Sequence, residues 1–308
     1  MMRQANVAFK GAGRPFLPIN TSFGSRRLAV MAQAKLKVAV TGAAGRTGAL
    51  VVKKLAERST DFETRAVVRN SSSKPKLAQL GLDESAIFEV DVSRGDTGAF
   101  ATAFAGCDAL VIATSAVPVL KPLSLIPVFW AKLTGGKGVM PQFGWKEGQY
   151  PEQVDWLGQK AQIDGAKAAG VKQVVLISSM GGTDKDNNLN KLGNGDILQW
   201  KRKAEQYLMA SGLTYTIIHP GGLLDEPDGQ RQLVVGVDDT LIKQTVRSIP
   251  RGDVAELSVQ CLTLKAAENR AFDVISRKPG EGEPTRDFGA LLTDMAANCD
   301  YSINSQWP

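Results

Sequence analysis

Thr41-Gly42-Ala43-Ala44-Gly45-Arg46-Thr47-Gly48 spaces three glycines as T-G-x-x-G-x-x-G, a pattern suited to gripping a diphosphate. The first glycine permits a sharp turn, the second lets backbone approach a pyrophosphate, and the third allows a helix to pack closely on the preceding strand. Phosphate oxygens then meet free N–H groups and the positive end of the helix dipole. NAD-selective sites place an acid about 20 residues further on, to bind the ribose 2′-hydroxyl. Here the chain offers Arg69-Asn70-Ser71-Ser72-Ser73 and no acid. A guanidinium beside short hydroxyls suits a 2′-phosphate, and Arg46 inside the turn can approach the same group. The cofactor expected from these residues is NADP(H).

Other residues with chemical potential are few. Three cysteines, Cys107, Cys261 and Cys299, lie far apart, so there is no disulfide framework and no CxxC metal site. His219 stands alone in the sequence, which excludes a histidine-built zinc site, and no metal is expected. At the end of a strand and at the cleft rim, His219 could donate a proton near neutral pH, although a structural role is the plainer reading.

These residues need elements to position them. Leu36–Thr41 is a short β-branched run of the kind that makes a buried parallel strand, and it feeds the glycine turn and an amphipathic helix. Further strands are read at 64–69, 86–91, 108–114, 171–178, 214–218 and 271–275. A helix starts with Pro151 at its first position and runs to Ala169, stopped by Gly170, and another spans 197–210. A long Pro/Gly-rich connection is expected from Ser115 to Tyr150. Strands alternating with helices indicate an α/β fold, a doubly wound parallel sheet of Rossmann type in one domain with small C-terminal additions. Ligands of such sheets bind beyond the carboxyl ends of the strands. That places Asp91 and Val92 beside an adenine ring, and Ala113, Thr114 and Ser115 along the cofactor's ribose and phosphates.

The 308 residues carry a net charge of +6, and five of those charges are Arg3, Lys10, Arg14, Arg26 and Arg27. Residues 1–34 contain no Asp or Glu, so the remainder carries only +1, which argues against nucleic acid as a partner. An acid-free leader rich in Arg, Ala, Ser, Asn and Gly, with no continuous apolar core, reads as an organelle transit peptide. Residues 35–308 form the expected domain, in the chloroplast, with the mitochondrion as the alternative. The greasiest segment, 117–133, is broken by Pro118, Lys121, Pro122, Pro127 and Lys132, short of the roughly 18 apolar residues a spanning helix needs. Residues 120–139 could instead meet a partner or a membrane surface, or close over the nicotinamide end as a lid.

The chain resembles the atypical short-chain dehydrogenase/reductases with an NmrA-like fold, in particular a plant and algal chloroplast NAD(P)-binding subgroup. The resemblance covers 35–298. It rests on 41–48, Thr114-Ser115-Ala116-Val117-Pro118, Tyr150-Pro151-Glu152-Gln153-Val154-Asp155-Trp156, Ser179-Met180-Gly181-Gly182-Thr183, Trp200–Tyr207 and Gly221-Gly222-Leu223. It implies NADP binding in an organelle and oxidoreduction of a small molecule that the sequence does not name. A non-catalytic redox sensor or assembly factor is the alternative. Two departures stand on the substrate side: Leu120–Val139 is longer and greasier than in land-plant members, and His219-Pro220 replaces an expected Arg-Ala.

Reductases of this kind commonly place Tyr four residues before Lys, the tyrosine passing a proton and the lysine lowering its pKa. None of the four tyrosines here has that lysine. The resemblance instead puts Lys201 in the lysine role and Ile197 in the tyrosine role, and isoleucine transfers no proton. Lys201 is therefore expected to bind cofactor, with protonation from Ser179, His219 or water.

Overall fold

The computed structural model describes residues 34–134, 140–295 and 297–303. The leader read as a transit peptide lies outside them except for Ala34, as do 135–139 of the apolar segment. Eight strands form the main sheet: β1 (Leu36–Thr41), β2 (Phe62–Val68), β3 (Ile87–Glu89), β4 (Ala109–Ile112), β5 (Gln173–Ile177), β6 (Thr214–Pro220), β7 (Leu233–Gly236) and β8 (Arg270–Ser276). Their spatial order is β3-β2-β1-β4-β5-β6-β8-β7. All neighbours are parallel except β7, which runs antiparallel along β8. The strand order reverses between β1 and β4, where an open α/β sheet leaves a crevice for ligand.

Period-two alternation sends successive side chains to opposite faces. Val38 and Val40 of β1 join Val51, Val52 and Leu55 of helix α1 (Arg46–Glu57) and Leu257 of a later helix on one side. Ala39, Leu110, Ile112, Leu176 and Ile217 pack on the other side against Phe100, Phe104 and Ile163. Both faces are covered, which explains strands that read as continuous apolar runs.

Three segments differ from the sequence reading. The helix expected from Pro151 to Ala169 opens as a π-helical stretch over Glu152–Gly158 and becomes helix α3 only at Gln159–Ala168. Such widened turns re-aim side chains, and here the side chain is Asp155. The connection after β4 is not structureless: Val119–Leu120 pairs antiparallel with Phe143–Gly144, and helix α2 spans Leu125–Leu133. Near the C-terminal half, Gly222–Leu224 pairs in parallel with Ser248–Pro250 as a two-stranded addition. Helix α4 (Ile197–Ala210) has its expected bounds. Among the described residues no helix is long and apolar enough to cross a membrane.

Candidate functional site: the cleft at the carboxyl ends of β1, β4 and β5

The glycine turn leaves β1 with Gly42 at φ +65°, where a Cβ would stand 2.6 Å from the Ala113 carbonyl oxygen. A Cβ on Gly48 would lie 2.2 Å from the Gly42 carbonyl oxygen, so the start of α1 presses against the turn itself. Gly45 is the N-cap of α1 and no side chain caps the helix, whose first turn contains no acid. The N–H groups of that turn are left for an external anion. The Thr41 hydroxyl, buried just before the turn, has no hydrogen-bond partner among the described residues. These features fit a cofactor pyrophosphate.

Thr47, Ala113, Ser115, Ser178, Ser179 and Lys201 line one cavity of about 240 Å³. Five of these six were expected from the sequence; Ser178 was not singled out as a site residue. Thr114 stands beside them, its carbonyl accepting from Gln159 Nε2 and its hydroxyl from Gln162 Nε2, both at 3.1 Å. Lys201 is almost fully buried, and its Nζ donates to Asp155 Oδ1 at 2.8 Å. The other oxygen of Asp155 accepts the Ala116 N–H at 2.9 Å. One fully buried carboxylate therefore ties the π-helical stretch, the loop after β4 and helix α4 together. Ile197 lines the same cavity one turn before Lys201.

Beyond the carboxyl ends of β2 and β3, Arg69 Nε lies 3.8 Å from Asp91 Oδ1, and Asp91 also accepts the Ser93 N–H at 3.0 Å. Val92 is buried under Gly158, where a Cβ would meet its side chain at 2.6 Å. Asn70 precedes the Ser71–Ser73 turn and accepts the Ser72 hydroxyl. A cation that sequence reasoning missed joins them: Lys76 Nζ donates to the Ala44 carbonyl at 2.7 Å, at the glycine turn. Arg46 is placed differently from the expectation. Its guanidinium pairs with Asp225 at 3.4 Å, and Asp225 also accepts from Arg251.

His219 does not stand at the cleft rim. It lies in β6, buried, with Nδ1 3.2 Å from Asp273 Oδ1 and Nε2 3.3 Å from Glu205 Oε2. Burial alone lowers its pKa, but the Glu205 charge and the bonds to Asp273, Cys299 and Glu205 hold it well above the ordinary value. Burial pushes Glu205 up, yet the His219 charge and bonds from His219, Ser178 and Tyr301 leave it lowered. The raised His219 and the lowered Glu205 fit a buried ion pair, and among the described residues its hydrogen bond to the cleft is the one Glu205 accepts from the Ser178 hydroxyl. Tyr301 donates to Glu205 Oε2 at 3.0 Å from the C-terminal segment. His219 Nδ1, an Asp273 oxygen and Cys299 Sγ gather within 4.8 Å of one another. Glu205 could have been suspected from its place one turn after Lys201; the proximity of Tyr301 and Asp273 has no local signal.

A family described as NAD(P)H-binding matches residues 42–265. The protein At2g37660 of Arabidopsis thaliana, designated chloroplastic, is 52% identical over 260 residues, 84% of this chain and 75% of that protein. Sanguinarine reductase of Eschscholzia californica is 49% identical over 272 residues, 85% of this chain and 96% of that one. Among solved structures, the oxidoreductase ylbE of Lactococcus lactis superposes with a TM-score of 0.57 at 20% identity, covering 84% of this chain and 95% of its own. With the glycine turn, the reversal of strand order and the buried lysine in one cleft, the chain belongs to the NAD(P)H-binding family, as an atypical short-chain dehydrogenase/reductase of the plant chloroplast type.

Proposed function

We propose that this protein is an oxidoreductase of the chloroplast stroma that uses NADPH to reduce a small organic molecule. The observation that carries the reading is the cavity where Thr47 of the glycine turn meets Ser178, Ser179 and the Asp155-anchored Lys201. Gly42, Ala44, Gly45 and Gly48 would bring backbone to the pyrophosphate, and Arg69 with Lys76 would hold a 2′-phosphate. Asp91 and Val92 would flank the adenine, and Ala113, Thr114 and Ser115 the ribose and phosphates.

When bound, the reduced nicotinamide supplies a hydride. Lys201 then has two tasks: it holds the cofactor's ribose hydroxyls, and its fixed charge favours negative charge developing on the substrate. The Ser179 hydroxyl would face the substrate oxygen that gathers that charge, while the Ser178 hydroxyl is donated to Glu205. Behind Ser178, the Glu205–His219 pair keeps a proton within two hydrogen bonds of the cleft. That arrangement occupies the chemical role a tyrosine would fill, since Ile197 cannot.

The deciding experiment follows NADPH consumption by the protein against a panel of quinones, aldehydes and enones, with a binding titration alongside. Turnover with any class supports the reading. Tight NADPH binding without turnover favours a redox sensor or assembly factor, a second reading supported by Ile197 in the tyrosine position. Residues 1–34 act, on this proposal, as a transit peptide; their composition and the chloroplastic designation of At2g37660 support it.

A further inference from the structure

A second and larger cavity, about 620 Å³, adjoins the cofactor cleft. Trp145 lines both spaces and forms the wall between them. Its indole is seated on the loop before α4: a Cβ on Gly195 would lie 2.5 Å from Trp145 Nε1, and one on Gly193 would lie 2.9 Å away. The cavity's frame is the hairpin of Val119–Leu120 with Phe143–Gly144. The Lys121 N–H donates to the Gln142 carbonyl at 2.9 Å, and the Gln142 N–H donates to the Ser124 hydroxyl at 2.9 Å. A wall braced in this way is built before a ligand arrives.

The size falls within the roughly 300–1,000 Å³ of small-molecule sites, and the lining has their character, mostly apolar with a few polar groups. Val119, Leu120, Pro122, Leu123 and Pro127 supply the apolar surface. The charged groups lining it are Lys121 and Lys146, with no carboxylate, and neither lysine forms an ion pair among the described residues. Gly144 gives the Lys121 stem room to lie across the floor: a Cβ there would meet Lys121 Cε at 2.9 Å. Two unpaired ammonium groups on an apolar wall complement an anion with a flat hydrocarbon body, and they repel a cation.

We propose that this cavity is the substrate site and that the substrate is a flat, largely apolar molecule bearing an acidic group. The acid meets Lys121 and Lys146, and the reducible end passes Trp145 into the cofactor cleft. The assignment of the bound molecule as substrate rests on the oxidoreductase reading; the binding preference does not.

The test uses the full-length protein saturated with NADPH and two fluorescent probes of one skeleton, anilinonaphthalene sulfonate and the uncharged phenylnaphthylamine. The sulfonate is expected to bind at least about tenfold more tightly. Replacing both lysines, Lys121→Ala with Lys146→Ala, should erase that preference while NADPH affinity stays unchanged, and Trp145→Ala should weaken both probes. Equal affinities for the two probes, or a preference that survives loss of both lysines, overturns the proposal. So does lysine-dependent binding to vesicles of anionic lipid with no saturable probe site, which would make this face a membrane contact. NADPH titration separates the two readings: failure there sinks the oxidoreductase assignment and leaves the probe preference readable.

Discussion

Lys201 and Asp155 are 46 residues apart in the chain and meet in the interior at 2.8 Å, at the edge of the cofactor cleft. A buried cation with a single buried carboxylate partner is held in one place, which is what an anchor for ribose hydroxyls requires. Removing either partner strands the other charge without solvent. Lys201→Ala should therefore abolish turnover and weaken NADPH binding, and it should also cost about 3–5 kcal/mol of folding stability by leaving Asp155 unpaired. Urea unfolding beside a cofactor titration separates the two effects. Unchanged NADPH affinity and turnover in a folded variant would mean the site is placed wrongly.

Ile197 offers the converse test. It lines the cavity one helical turn before Lys201, so Ile197→Tyr sets a phenol and a lysine at the spacing that reductases use. Activity should rise, with the pH profile gaining the ionisation of the new phenol. A folded variant with no change in rate or profile would show that the proton arrives by another route.

Selectivity for the 2′-phosphate should reside in Arg69 and Lys76. Arg69→Ala is expected to weaken NADPH by about 1.5–3 kcal/mol, the size of a hydrogen bond to a charged group, and to leave NADH affinity unchanged. Lys76→Ala should act in the same direction. Calorimetric titration of both cofactors decides it, and equal losses for NADH and NADPH would contradict the assignment.

The buried His219 gives stability a pH dependence of known sign. Its folded pKa is raised, so its contribution is complete below the unfolded value of about 6.5 and is lost as pH rises through the higher folded value. Glu205 is lowered, so its contribution is present above its unfolded pKa and is lost as pH falls through the folded one. Asp273 is raised by burial, so its contribution is complete below the ordinary carboxylate value and is lost as pH rises through the folded one. Melting temperature across pH should thus fall from near neutrality toward alkaline values, and His219→Gln should flatten that limb. The same variant should lose about 3–5 kcal/mol at neutral pH, because Glu205 stays buried without its cation.

Mass spectrometry of the protein from its native organelle should find a chain beginning near residue 35. A chain beginning at Met1 would refute the transit-peptide proposal.

The architecture was legible because buried parallel strands and glycine turns are local signals. Leu36–Thr41, the glycine turn and α4 are written in contiguous residues. Lys201 and Ser179 were suggested by the resemblance, and both line the cavity beside Thr47. The rest depends on how distant segments meet. Asp155 is aimed inward by a widened helical stretch that no residue type announces. Lys76 reaches the glycine turn across 32 residues, and Tyr301 reaches Glu205 across 96. His219 looked like a rim residue because strand ends usually open on the cleft; the carboxylates that enclose it come from α4 and β8. The hairpin inside the 115–150 connection was hidden by proline and glycine, which mark turns but not what the turns join.

The order of strands at the far edge of the sheet also bears on how the chain assembles. β8 lies between β6 and β7, although β7 is synthesised first. A chain emerging N-terminus first from a ribosome or an import channel must therefore hold Leu233–Gly236 in waiting. That segment finds its hydrogen-bonding partner only after Arg270–Ser276 has slotted in beside Thr214–Pro220. Closure of this edge is a late event built on long-range pairings, which are slow to form. Until then the exposed margin of β6 is the place where a holding chaperone would have most to grip.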